Sequence, residues 1–148
     1  MLAHGTWLVP TLVAPQGVLE AVDAGVQLPP AIVEKARMVV EVHRASFRRA
    51  VEAGVRVAMG TDSGVTPHGR NLRELALMAG GGMSPGAVLA ATTRSAAELL
   101  GVEDRLGSIV PGKLADLVVV TGDPYDFDDL GSRVAGVWKG GARVVPFA

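Results

Sequence analysis

Two short apolar runs, residues 7–13 and 55–59, flank one long stretch in which apolar residues recur every three or four positions, and this order restricts the chain most. Ile32, Ala36, Val40, His43, Phe47 and Val51 mark the stripe. Their spacing predicts an amphipathic helix over residues 31–53, opened after Pro29-Pro30 and stopped by Gly54. Pro10 interrupts the first run and Pro15 follows it, so that run reads as a short strand unable to donate along its whole length. The second, rich in β-branched residues, reads as a buried strand closed by Gly60. Strand, helix, strand is the order of a parallel α/β unit.

Asn71 with Glu74 three residues later forms a capping-box pattern ahead of Leu72, Leu75, Ala76 and Met78, and Gly80-Gly81-Gly82 ends that helix. Ser84 is the expected N-cap of the next, with Pro85 at its first position; a break falls near Thr93, and Leu100-Gly101 closes it. From Leu106 onward the texture changes to short extended runs at residues 108–110, 115–120, 134–138 and 142–145. Pro111-Gly112 fits the centre of a type II turn, and Gly140-Gly141 a two-residue hairpin.

Fourteen basic side chains stand against 15 acidic ones, which removes the electrostatic reason to expect nucleic acid or an anionic membrane as partner. With no cysteine there is no disulfide, zinc-thiolate site or thiol nucleophile, so a metal would need oxygen and imidazole ligands, and only three histidines exist. No apolar stretch approaches the ~18–20 residues that span a bilayer, and the start of the chain lacks a basic signal-peptide region. The expected location is cytoplasmic.

In parallel α/β folds reactive groups gather beyond the carboxyl ends of strands. Asp62 stands there, in Gly60-Thr61-Asp62-Ser63-Gly64. Such a carboxylate can ligate a metal, take a proton from metal-bound water, or simply cap a helix. Other chemistry-bearing residues have plainer readings. His43 lies on the apolar stripe and is expected to be packed and hydrogen-bonded. Arg44, Arg48 and Arg49, interspersed with Glu41 and Glu52, make a solvated helix face. Asp123, Asp126, Asp128 and Asp129 miss the EF-hand spacing and read as a surface turn opened by Asp123-Pro124.

The segment from Gly54 through Gly64, followed by Pro67-His68-Gly69, Asn71 and Glu74-Leu75, resembles the last barrel strand of the metal-dependent amidohydrolase superfamily. Ala90-Ala91-Thr92, Ala96-Ala97-Glu98-Leu99-Leu100-Gly101, Gly107-Ser108-Ile109, Pro111-Gly112-Lys113 and Ala115-Asp116-Leu117-Val118-Val119-Val120 resemble its C-terminal signature, in the same order. Trp7-Leu8-Val9-Pro10-Thr11-Leu12 is similar to the seventh strand of the imidazolonepropionase-like and Xaa-Pro dipeptidase-like branch.

The resemblance implies an α/β chain that is the C-terminal fragment of a TIM (β/α)8 barrel. It comprises the last two βα units and following helices over residues 1–101, then strands of a small β-sandwich over residues 102–148. It also implies hydrolysis of C–N bonds in a small amide, cyclic amide or dipeptide, with a divalent metal, zinc the expected ion, generating hydroxide from bound water. Family members hold that metal with a His-x-His pair, a carboxylated lysine or glutamate, two later histidines and an aspartate. Only the aspartate has a counterpart, Asp62, which the resemblance makes metal ligand and proton shuttle. His68 becomes the candidate substrate contact, with Thr61 and Ser63 orienting the carboxylate. His4 lies only three residues before Trp7, too close for the sixth-strand histidine because a crossover needs a dozen or more residues. It belongs to the turn entering the seventh strand, and Met1 is expected within the helix preceding it in a longer ancestor.

Three functions compete. The chain is a piece of an amidohydrolase, inactive alone; or an assembly module pairing with a second copy or a separate N-terminal half; or a small α/β ligand-binding domain without catalysis. Its parallel strands would have open edges, which favours association.

Overall fold

The computed structural model describes residues 1–64 and 67–144. The two apolar runs do meet in parallel, but over a single pair of residues, Leu8 and Val57. The Leu8 N–H donates to the Arg56 carbonyl (2.8 Å) and the Ala58 N–H to the Leu8 carbonyl (3.0 Å). The expected strand over residues 7–13 is therefore shortened to a bridge. Thr11 turns into the left-handed region at φ 54°, and Val13 already belongs to a helix, α1 (Val13–Asp23).

That helix was not expected, because Pro15 and Gly17 punctuate it. Pro15 is tolerated because it falls in the first turn, where amides have no intrahelical acceptor. The long helix α2 (Pro30–Glu52) follows where the spacing predicts it, one residue earlier at each end, with proline at its first position. Val40 and Phe47 of its stripe are buried, Ile32 is not, and His43 is half-buried with no side-chain hydrogen bond described. Gly60 lets the two exits approach: a Cβ there would stand 2.3 Å from Val9 Cγ1.

Helix α3 (Arg73–Gly80) starts later than the capping-box reading requires. Its N-cap is Leu72, and neither Asn71 nor Glu74 caps it through a side chain. In α4 (Pro85–Thr92) the Ser84 Oγ accepts from the Ala87 N–H at 3.3 Å, as expected of an N-cap. The break falls at Thr93 (φ −122°, ψ −88°), after which α5 (Arg94–Leu100) runs to left-handed Gly101. The Thr92 and Thr93 hydroxyls donate to the Val88 and Leu89 carbonyls, at 2.7 Å each. This local bonding competes with the helix ladder.

Residues 108–110 form no strand. Lys113 folds over that segment, Nζ donating to Ser108 Oγ (2.7 Å) and the Leu106 carbonyl (3.3 Å). Beyond the Pro111-Gly112 turn, where Gly112 has φ 92°, strands β1 (Leu117–Val120), β2 (Val134–Lys139) and β3 (Ala142–Val144) form an antiparallel sheet in the order β1-β2-β3. Gly140 and Gly141, at φ 57° and 82°, make the expected two-residue hairpin. Val145, placed in the last extended run, lies outside the described residues.

The acidic segment is a turn: Asp123 Oδ1 accepts from the Tyr125 N–H at 2.9 Å and Asp126 Oδ1 from the Asp128 N–H at 3.0 Å. The Arg133 guanidinium donates to the carbonyls of Thr121, Asp123 and Asp126. One apolar core joins these parts. Leu12, Phe47, Val57, Leu75, Met78, Val88 and Ala91 pack with Phe127 and Leu130, which come from beyond β1. No helix among the described residues is long and apolar enough to cross a membrane.

Candidate active site

Asp62 follows Gly60 by two residues at the carboxyl end of the parallel pair, and its backbone is left-handed at φ 49°. Thr11 leaves the neighbouring segment in the same conformation. Left-handed backbone is uncommon for non-glycine residues, so both exits turn through a conformation their side chains disfavour. The Asp62 side chain is exposed and, among the described residues, has no hydrogen-bond partner. Among the described residues it caps no helix and accepts from no backbone amide.

Thr61 and Ser63 do not orient the carboxylate as expected; their hydroxyls bond each other at 2.8 Å. His68 is exposed on the following loop, with no described hydrogen bond. His4 ends a single 3-10 turn (Leu2–His4) closed by left-handed Gly5, in keeping with a turn before Trp7, and no longer helix precedes it among the described residues. No group of three or more histidine, aspartate or glutamate side chains among the described residues could hold a metal ion. Zinc sites draw on three or four protein ligands, so Asp62 alone does not fit such an ion.

The feature that the local sequence pattern hides is Glu74. Its carboxylate is buried and accepts from two amides across the fold, Leu12 N–H to Oε1 at 2.8 Å and Val13 N–H to Oε2 at 2.7 Å. It therefore caps α1 rather than its own helix. Burial pushes its carboxyl upward from the ordinary value, opposed by the two amide bonds. A signal did exist: Glu74 sits four residues before Met78 and beside Leu75, on the face that goes inside. Next to it, Arg73 pairs with Glu20, tying α3 to α1 a second time.

Two cavities flank the core without including Asp62 or His68. One, of about 590 Å³, lies between the Gly69–Leu77 stretch and the Asp128-Asp129 turn. A larger and more apolar one, of about 710 Å³, lies between the α4–α5 pair and β1.

The pattern of the amidohydrolase family matches residues 1–145. The chain belongs to the amidohydrolase family. It is 38% identical over 105 residues to an imidazolonepropionase of Deinococcus deserti, covering 66% of this chain and 26% of that protein. It is 34% identical over 142 residues to the imidazolonepropionase of Shouchella clausii, covering 89% and 30%. Among solved structures, an Xaa-Pro dipeptidase with methionine bound in its active site superposes with a TM-score of 0.87 at 38% identity, over 97% of this chain and 36% of that one. The chain thus spans between a quarter and about a third of the length of these amidohydrolase relatives.

Proposed function

We propose that this chain is the C-terminal portion of a metal-dependent amidohydrolase that hydrolyses a C–N bond in a small amide, cyclic amide or dipeptide, and that the 148 residues alone do not turn over. On this reading residues 1–101 are the closing part of a (β/α)8 barrel and residues 102–148 contribute strands to a β-sandwich. Family membership and the parallel pairing of Leu8 with Val57 support it. The observation that carries it is Asp62: a carboxylate at a strand exit, exposed and without a described hydrogen-bond partner.

In this role Asp62 supplies one ligand of a divalent-metal site, with zinc the expected ion, and is the base that takes a proton from the attacking water and returns it to the departing nitrogen. The other ligands lie outside the described residues, which is why activity of the isolated chain is not expected. His68, on the loop beyond Asp62, is the substrate contact.

Assay of the purified chain with zinc against a prolyl dipeptide and a cyclic amide tests the proposal. No turnover is expected; turnover abolished by Asp62→Asn would show that these residues suffice and overturn the claim of inactivity.

A second reading, as an assembly module, is favoured by the apolar side chains left exposed on α2. Met38 and Val42, one turn apart, are 61% and 60% exposed, and Ile32 is 49% exposed. The two readings are compatible, because the surface that completes the site and the surface that binds a second copy or a separate N-terminal half could be one.

A further inference from the structure

Glu74 is the one charged side chain among the described residues that is wholly buried. Such a group needs compensation, and no described cation supplies it. Two nearby cations bond elsewhere: Arg73 of α3 with Glu20 of α1, and Arg44 of α2 with Gln16 of α1. Two amides at the start of α1 take the place of a cation. Their hydrogens carry the partial positive charge of a helix N-terminus and have no intrahelical acceptor.

An ordinary helix would meet this need with its own N-cap side chain, but Leu12 offers none. The acceptor comes instead from 62 residues away, on the helix that follows the Asp62 exit. This long reach joins two exits rather than one helix to itself. Thr11, immediately before the clamped pair, is a β-branched residue held at φ 54°. Strain of that kind persists only where the surroundings over-determine it. The Thr11 hydroxyl oxygen lies 3.8 Å from where a Cβ on Gly60 would stand, two residues before Asp62.

We propose that Glu74 is a positioning residue: by gripping the Leu12 and Val13 amides it fixes the left-handed Thr11 corner against the Gly60 to Asp62 exit, and so sets the spacing of the two strand ends that bear the site. The relevance to catalysis rests on the hydrolase reading above; the clamp does not.

Amide spectra of the 148-residue chain carrying Glu74→Gln, Thr11→Gly or both test this. Glutamine keeps one acceptor and places an NH2 where the second stood. Glu74→Gln is expected to move the resonances of Thr61 and Asp62, as well as Leu12 and Val13, by more than those of β1 to β3. Adding Thr11→Gly, which permits the left-handed corner without strain, is expected to return Thr61 and Asp62 to the positions they hold in Thr11→Gly alone.

Resonances of Thr61 and Asp62 that stay in place in Glu74→Gln, or that Thr11→Gly does not return, would mean a merely structural acid and overturn the proposal. Should Glu74→Gln fail to fold, a double variant that folds with both resonances in place supports the clamp. A double variant that also stays unfolded makes Glu74 a folding residue and overturns it. Neither readout uses metal or turnover, so failure of the hydrolase reading leaves this result standing, and the reverse.

Discussion

At the level of single residues, two acids near the strand exits have opposite surroundings. Glu74 is buried with its two oxygens filled by amides, whereas Asp62 is exposed with none described. Removing the first leaves two amides without acceptors, at roughly 1–3 kcal/mol each if both stay dry. Glu74→Ala should therefore cost about 2–4 kcal/mol by urea unfolding at neutral pH. The pH dependence has a definite sign. Burial outweighs the two amide bonds and raises the folded-state pKa above the ordinary 4.5, so the folded chain holds this proton more tightly than the unfolded one. The stability Glu74 contributes then falls as pH rises from about 4.5 through the raised value. The gap between wild type and Glu74→Gln should narrow over that window; a gap that widens would mean the amides win over desolvation.

At the scale of elements, the parallel pair depends on close approach at Gly60. Gly60→Ala places a methyl 2.3 Å from Val9 Cγ1 and should destabilise by about 1–3 kcal/mol, with Val9→Ala restoring part of the loss in thermal midpoint. An equal loss in both backgrounds would mean that the clash relaxes elsewhere. Elements whose signal is local were legible in the sequence: α2 from its stripe, α4 from Ser84-Pro85, the break at Thr93, and the β2–β3 hairpin from its glycine pair. Where the determining contact is distant, local patterns misled. Pro15 hides α1 because a first-turn proline looks like a breaker, and Asn71 with Glu74 looks like a local cap because the amides that donate to Glu74, those of Leu12 and Val13, lie 62 and 61 residues away. The candidate site is legible only in its position. Asp62 stood out from its glycine-flanked place after an apolar run, but the mutual bond of Thr61 and Ser63 is a matter of rotamers that no spacing encodes.

At the scale of the whole molecule, one core joins the helices to the C-terminal sheet through Phe127 and Leu130. Apolar surface remains on α2 and on β1, where Val118 is 62% exposed. On the assembly reading these side chains belong to a contact surface. Light scattering over micromolar concentrations should give an apparent mass that rises above the monomer; a monodisperse monomer with a cooperative thermal transition would count against the assembly reading. On the proposed reading, Asp62 is one wall of a cation site whose other walls come from outside these residues. The deciding measurement is calorimetric titration of the chain with zinc, alongside Asp62→Asn. No tight stoichiometric binding is expected in either; a tight one-to-one site lost in Asp62→Asn would mean that these residues hold the ion by themselves and would refute the reading.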